Sequence, residues 1–399
     1  MTSRIALRAD ALFDGVTTAR DPLVVVEDGR IVSVDVGGRV APPADAELVD
    51  LPGATLLPGL VDTHVHLGFD AGLDPVASLA ARDEDAVLEQ MAQAGAAQLQ
   101  AGVTTVRDLG DRDYLTLRLR TQDRQLPTIV AAGPPITSPG GHCHFLGSAV
   151  SGVDGVRAAV REHAERGVDV IKVMASGGQM TPGTQWDASQ FPPDVLAALV
   201  DEAHRHGLPV TAHAHAVCAI RDALDAGVDG IEHCTFIAED GVRPDEALIE
   251  ALVARRVAVG LTVGMRLTPD MTPPPAIARI IPDLMALLAR LCRAGVLAVA
   301  GTDAGIAPPK PHGVLPDGLI QLSELGMSPL QALTAGTSVA ATVCGLGDRK
   351  GRVRPGYDAD LLAVAGDPLT DMTALLRPAH VMATGTPVRT EPPVSVNGR

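Results

Sequence analysis

The sequence predicts an α/β fold: a (β/α)₈ TIM barrel with a small β-sandwich domain formed by both termini. The first observation is a phrase that recurs between about residues 100 and 300. In it a glycine follows a helical stretch and precedes an apolar run, as in AGVTTV (101–106), RGVDVI (166–171) and AGVDGI (226–231). Glycine just past a helix is the usual stop signal. The apolar run after it is typical of a strand buried on both faces, so the repeated unit indicates a parallel βα architecture.

The second observation is the number of predicted strands, which have helical stretches between them and after the last. The eight candidates are 60–66, 103–109, 128–133, 168–175, 209–215, 230–236, 257–263 and 297–303. Eight units over about 280 residues fit a barrel better than an open doubly wound sheet. The lack of a GxGxxG fingerprint after any early strand weakens the dinucleotide-binding alternative further.

The third observation is that the two ends of the chain differ from its middle. Residues 5–57 contain short alternating runs such as LVVVEDGRIVSV, in which Asp28-Gly29 indicates a hairpin. A similar pattern returns after about residue 352. We therefore expect residues 1–57 and 352–399 to form the β-sandwich domain jointly, and residues 58–351 to form the barrel.

Composition limits the class of protein. The chain has 399 residues, 46% of them hydrophobic and 20% charged, which is typical of a globular protein with a large core. Its net charge of -16 argues against nucleic acid or an anionic membrane as the main partner. The N-terminus has no apolar segment of signal-peptide type, and no apolar run approaches a membrane span.

The five cysteines are odd in number and show no CxxC spacing, which is typical of reduced thiols in a cytoplasmic protein. Cys143 and Cys234 stand next to histidines. No group that would activate either thiol as a nucleophile is visible in the sequence around them.

Polar residues cluster at the C-terminal ends of the predicted strands, where the reactive groups of such barrels lie. They are His64, His66, Lys172, His213, His215, His233 and Asp303. Taken singly, a histidine can be a hydrogen-bonded core residue, the aspartate a helix cap and the lysine a side chain that reaches solvent. Together they would leave several buried polar atoms without partners. Imidazole and carboxylate are ligands of Zn²⁺ and similar cations, so the set predicts a metal centre.

Lys172 indicates two metals rather than one. A charged ammonium would be repelled by a neighbouring dication. Once it is deprotonated and condensed with CO₂, the same side chain becomes an anionic carbamate with two oxygens that can bridge two cations. The sequence therefore predicts a binuclear centre with a carbamate on Lys172.

The motifs LPGLVDTHVHL, GVTTVRDLG, IKVMASGG, TAHAHA, GIEHCT and GTDAG resemble those of the amidohydrolase superfamily. They are most similar to the branch of imidazolonepropionases and Xaa-Pro or Xaa-Arg dipeptidases, and the likeness covers nearly the whole chain. The resemblance implies two divalent metals, with Zn²⁺ as the first expectation. It implies His64, His66 and Asp303 at the buried metal, His213 and His233 at the outer metal, and a bridging carbamate on Lys172.

The strand-5 ligand has two candidates, because His213 and His215 face the same side of a strand. The family ligand falls twenty residues before the strand-6 histidine, which favours His213. His215 then contacts a ligand or the substrate. The loop TSPGGHCHFLG (137–147) resembles a TGGH-type loop whose histidine reaches the substrate, which implies a catalytic or substrate-binding role for His142 and leaves His144 as a weaker candidate.

The resemblance implies hydrolysis of an amide C–N bond by a metal-bridging hydroxide, with Asp303 accepting and returning the proton. The expected substrate is a small molecule, first a dipeptide or N-acyl amino acid whose carboxylate could be held by Lys310 or Arg266. A cyclic amide or lactam hydrolase, a deaminase and a non-catalytic scaffold are the alternatives. Whether the protein forms a homo-oligomer stays open, because no feature of the sequence decides the oligomeric state.

Overall fold

The computed structural model describes residues 4–268, 271–273 and 275–388. Its strands are β1 (Arg4–Phe13), β2 (Thr18–Arg20), β3 (Leu23–Glu27), β4 (Arg30–Asp35), β5 (Glu47–Pro58), β6 (Leu60–Val65), β7 (Val103–Asp108), β8 (Thr128–Ala131), β9 (Ile171–Met174), β10 (Val210–Ala216), β11 (Gly230–Ala238), β12 (Gly241–Val242), β13 (Ala258–Thr262), β14 (Leu297–Gly301), β15 (Leu361–Ala365), β16 (Pro378–Ala383) and β17 (Thr386–Pro387).

The helices mostly separate the strands from β6 onward. They are α1 (Pro75–Ala81), α2 (Glu84–Gln100), α3 (Leu115–Leu119), α4 (Gly152–Arg166), α5 (Pro193–Arg205), α6 (Val217–Ala226), α7 (Glu246–Arg255), α8 (Pro275–Ala294), α9 (Leu315–Glu324), α10 (Pro329–Ala335) and α11 (Ser338–Val343), with 3₁₀ turns at His144–Leu146 and Met372–Leu376. None of the helices within the described ranges has both the length and the apolar character needed to cross a membrane.

The middle of the chain forms two parallel sheets, in the strand orders β6-β7-β8 and β14-β13-β11-β10-β9. Each of the eight predicted strands overlaps one strand of these sheets. Parallel bridges between Val65 and Ala304, and between Ile136 and Val173, connect the sheets at both pairs of edges. The C-terminal ends of the strands in the two sheets are therefore neighbours.

The glycine stops that the sequence indicated are present. Helices α4 and α6 end at Gly167 and Gly227, whose φ angles are 83° and 84°. Glycine adopts this left-handed conformation without the steric cost that a Cβ atom brings. The strands that follow are buried throughout in β9 and nearly so in β11, which explains their continuous apolar runs.

Strands from both termini pair in one mixed sheet of order β17-β16-β15-β5-β1-β3-β4. The ends of the chain meet where β15 runs antiparallel to β5, with Leu361 opposite Pro58. The predicted hairpin at Asp28-Gly29 joins β3 to β4, and both residues have positive φ angles of 48° and 78°, as a tight two-residue turn requires.

A cluster of charged side chains fixes the segment before β15. Lys350 is buried and forms ion pairs with Asp360 and Asp358. Asp358 also pairs with Arg349 at 2.7 Å and with Arg30 of β4 at 3.1 Å. Because Arg30 comes from the N-terminal strands, this cluster ties the two ends of the chain together.

Candidate metal centre

Three buried side chains converge, one from β6 and two from the residues just after β6 and β14. The ligand atoms of His64, His66 and Asp303 all lie within 4.8 Å of one another. Nε2 of His64 and Nε2 of His66 are 3.4 Å and 3.3 Å from Oδ1 of Asp303. Two imidazoles and a carboxylate at these separations could hold one divalent cation.

Backbone strain places Asp303 in this group. Its φ angle is 60°, in the left-handed region that residues with a Cβ atom rarely adopt. Its amide donates a hydrogen bond of 2.7 Å to the carbonyl of His64, so the peptide after β14 is held against β6. His233 has a similar φ of 68° within β11. Strained residues of this kind concentrate at functional sites.

A second group consists of His213, His215 and His233, whose ligand atoms also lie within 4.8 Å of one another. The rings of His64 and His233 are 5.3 Å apart between centroids, so the two groups adjoin. Burial is the largest cause that keeps the pKa of His213 and His233 well below the usual value. Both rings are therefore neutral, which is the form that binds metals.

Lys172 lines the same space. Its Nζ is buried and has no hydrogen-bond partner among the described residues. Burial lowers the pKa of this amine to about 8, which gives the neutral form an appreciable population near pH 7. A neutral amine is the form that condenses with CO₂. An isolated buried donor among neutral imidazoles fits a modified side chain that takes part in metal binding.

Each histidine of the two groups except His213 uses Nδ1 for a structural contact. The partners of Nδ1 are the Glu232 carboxylate for His64, the Gly110 carbonyl for His66, the Thr235 hydroxyl for His215 and the Thr262 hydroxyl for His233. Such contacts leave Nε2 available and fix the orientation of the ring. His213 instead has Nε2 3.2 Å from the carbonyl of Gly177.

Sequence reasoning missed Glu232 and Arg107. Glu232 lies 3.0 Å from Nδ1 of His64, accepts a hydrogen bond from Thr211 and pairs with Arg107 at 2.9 Å. Burial opposes its ionisation, but Arg107 and His64 outweigh this and hold its pKa below the usual range. A Cβ atom on Gly260 would lie 2.0 Å from its carboxylate, so this glycine leaves the space that Glu232 occupies.

His142 enters the site from the loop after β8. Its ring centroid is 4.7 Å from that of His213, and its Nδ1 is buried without a hydrogen-bond partner in the described structure. Burial, followed by the charge of His215, lowers its pKa to about 3. The neutral ring therefore keeps one N–H that can donate to a ligand. His144 is exposed and its Nδ1 contacts the carbonyl of Gly141, so the structure does not bring it to the other histidines.

The two cations suggested for a substrate carboxylate have other partners. Lys310 donates to the carbonyl of Thr302 at 2.7 Å and to that of Thr262. Arg266 pairs with Asp317 at 2.9 Å. Neither side chain lines the cavity beside the two histidine groups.

Cys143 and Cys234 are buried, and burial raises the pKa of both thiols, that of Cys143 to about 12. A thiol rather than a thiolate is present at neutral pH, so neither is an activated nucleophile.

A cavity of ≈ 230 Å³ opens beside these groups. One part of its lining consists of the histidines, Lys172 and Asp303. The other part is apolar and includes Phe69, Met180, Trp186, Ile237, Ile280 and Leu284. The arrangement resembles that of enzyme sites in general, which are largely apolar with a few convergent polar groups.

Comparisons with known proteins agree on one family. The sequence profile of the amidohydrolase family matches residues 55–388. Ochratoxinase of Aspergillus niger is 28% identical over 359 residues, which cover 82% of this chain and 73% of that protein. Imidazolonepropionase of Paracoccus denitrificans is 26% identical over 383 residues, covering 85% and 86%. The crystal structure of a Xaa-Pro dipeptidase with methionine bound in its active site superposes with a TM-score of 0.86 at 26% identity, over 96% of this chain and 99% of that one.

Proposed function

We propose, from the premise that this chain belongs to the amidohydrolase family and is a hydrolytic enzyme, that it cleaves an amide C–N bond at a binuclear metal centre. The resemblance seen in the sequence is confirmed at the level of the family. The observation that carries the finer proposal is the convergence of two adjoining groups of ligand atoms beside the unpartnered amine of Lys172.

The proposed architecture is a closed (β/α)₈ barrel over residues 58–351 with a β-sandwich formed by 1–57 and 352–399. Of these ranges, residues 1–3, 269–270, 274 and 389–399 lie outside the part of the chain that the structure describes. The bridges that connect the two parallel sheets at both edges support closure. One cluster of buried apolar side chains contains residues of β1, β3, β5, β15 and β16. Such a shared core supports a terminal sheet that folds over itself.

The proposed ligands are His64, His66 and Asp303 for one metal and His213 and His233 for the other, with a carbamate on Lys172 between them. His213 is favoured over His215 by ring geometry. The lone pair of imidazole lies in the ring plane, and His215 stacks on His233 at 27°, whereas His213 and His233 meet at 73°. Zn²⁺ is the proposed metal, since nitrogen and carboxylate donors suit it.

When bound, divalent cations supply a hydroxide nucleophile at neutral pH and polarise the scissile carbonyl. The chain's own groups do the rest. As the new C–O bond forms, Asp303 accepts the proton of the nucleophile on a carboxylate oxygen, and it returns this proton to the leaving nitrogen as the C–N bond breaks. The neutral ring of His142 donates its N–H to the oxygen that becomes negative as the carbonyl is attacked. The apolar part of the cavity excludes water from the reacting amide.

The substrate is proposed as a small-molecule amide. The relative named imidazolonepropionase supports a cyclic amide as a second candidate. The first sequence-based candidate, a dipeptide or N-acyl amino acid, is supported by the likeness to the Xaa-Pro dipeptidase. It would need a cation for its carboxylate, and Lys310 and Arg266 are engaged elsewhere. A cytoplasmic location stays a prediction.

The test combines metal analysis with a screen of amide substrates. We expect two divalent ions per chain and hydrolysis that a chelator abolishes. Lys172→Ala should lose metal and activity together, and added short carboxylic acids should restore part of both by replacing the bridging oxygens. Arg39→Ala, at an exposed position, is the control. Full activity in thoroughly demetallated protein would disprove the proposal.

A further inference from the structure

We propose that the preferred substrate is an amide whose groups on both sides of the C–N bond are uncharged, with a bulky apolar group seated between Trp186, Met180 and helix α8. This inference rests on the proposed function, because it assumes that the amide reacts at the metal centre. It adds the chemical class of the group that the rest of the cavity recognises.

The cavity that the proposed metal centre borders also has an apolar wall. Helix α8 contributes Ile277, Ile280 and Leu284 to the lining, and the loop after β9 contributes Met180 and Trp186. Ile280 is only 5% exposed although it borders an open cavity. A surface of this kind gains free energy when an apolar group of a ligand displaces water from it.

The charges at the cavity are all accounted for by the proposed metal centre. Among the described residues that line the cavity, the only acid is Asp303 and the only lysine or arginine is Lys172. The nearby cations Lys310 and Arg266 are engaged with backbone carbonyls and with Asp317. A substrate carboxylate buried here would lack a hydrogen-bonded cation to offset the free-energy cost of removing its charge from water.

The field of the whole protein acts in the same direction. With a net charge of -16, the chain repels anionic substrates at long range and leaves the approach of uncharged ones unaffected. Local contacts and the overall charge therefore both favour a neutral amide.

The experiment compares N-hexanoyl-leucinamide with N-hexanoyl-leucine, which differ only in having an uncharged carboxamide or a charged carboxylate at one end. Release of the hexanoyl group by the metal-loaded enzyme gives kcat/KM for each. We expect the uncharged compound to be preferred at least tenfold. We also expect it to exceed N-acetyl-glycinamide by more than tenfold, since each buried methylene contributes a factor of about four.

A cation introduced into the apolar wall should reverse the charge preference. Ile277→Arg places a guanidinium at the cavity. It should raise the ratio of kcat/KM for N-hexanoyl-leucine to kcat/KM for N-hexanoyl-leucinamide at least tenfold. Ile281→Arg is the matched control, because Ile281 lies on the same helix, is 39% exposed and does not line the cavity. Circular dichroism verifies that both variants fold, and Leu284→Arg replaces Ile277→Arg if the latter does not.

Binding is measured separately from turnover. A ketone analogue, in which CH₂ replaces the amide nitrogen of N-hexanoyl-leucinamide, cannot be cleaved at that bond. Calorimetry should show that it binds with a negative heat-capacity change and more tightly than the analogue of the free acid. Faster hydrolysis of the free acid by the wild-type enzyme, or tighter binding of its analogue, would overturn the inference alone. Failure of the metal-loaded enzyme to cleave any amide, with the uncharged analogue still bound, would overturn the proposed function instead.

Discussion

Nδ1 of His64 lies 3.0 Å from a carboxylate oxygen of Glu232, and both side chains are 1% exposed. The other carboxylate oxygen of Glu232 accepts hydrogen bonds from Arg107 and Thr211. A buried carboxylate with this many donors stays ionised and holds the proton of His64 on Nδ1. Nε2 of His64 is then a lone-pair donor that points toward Asp303.

Glu232→Gln should therefore weaken metal binding. The amide has no charge to retain the His64 proton on Nδ1, and Arg107 loses its ion pair. We expect metal affinity to fall by about 10- to 100-fold, measured by competition with a chromophoric chelator. Glu324→Gln, at an exposed position, is the control. Unchanged affinity in a folded Glu232→Gln protein would exclude the orienting role.

His213→Asn and His215→Asn should differ in metal content. If His213 is the ligand, His213→Asn retains at most one metal per chain. His215→Asn should retain two and lose activity through its altered contact with Thr235. Mass spectrometry of the metals distinguishes the variants, and the opposite pattern would assign the ligand to His215.

His142→Ala should lower kcat by about 100-fold, the usual loss when one hydrogen-bond donor to a developing oxyanion is removed. Metal content should stay at the wild-type level, because His142 is not a proposed ligand. His144→Ala, at the exposed histidine of the same loop, should leave both quantities unchanged. A loss of metal from His142→Ala would instead make this residue part of the metal centre.

The sequence predicted the strands well because each contains a buried apolar run, and five of the eight follow a helix and a glycine stop. The positions of polar residues along these strands can also be read from the sequence, and the polar residues named there line one cavity of the structure. These two patterns are local, so a single sequence contains them. The positions of strand ends differ by a few residues, as for the predicted 168–175 and the observed Ile171–Met174.

Glu232 could not be predicted in the same way. Alternation along a strand would place Glu232 and His233 on opposite faces. Positive φ angles at His233 and Cys234 break this alternation. As a result, Glu232 contacts His64 while His233 joins the second histidine group. The sequence gives no sign of such strain at residues other than glycine, although a glutamate within the apolar run GIEHCT is itself unusual.

The charged cluster between the termini predicts how stability depends on pH. Burial raises the pKa of Asp358, but hydrogen bonds from Arg349 and the charge of Lys350 outweigh this and hold it below the ordinary value of 3.8. A carboxyl group whose pKa is lowered in the folded state stabilises the protein at pH values above its unfolded-state pKa of about 3.9. This stabilisation is lost as the pH falls through the folded-state pKa. Wild-type protein should therefore lose more thermal stability between pH 5 and pH 3 than Asp358→Asn does.

The same variant should be less stable than the wild type at pH 7. Asp358→Asn removes the shared partner of Arg30, Arg349 and Lys350, and Lys350 is buried. Asp360 still pairs with Lys350, so the loss should be smaller than for an unpaired buried charge. Asp367→Asn, in the loop after β15, is the control. Thermal unfolding at pH 3, 5 and 7 measures both effects, and parallel curves for wild type and Asp358→Asn would show that Asp358 does not titrate on unfolding in this range.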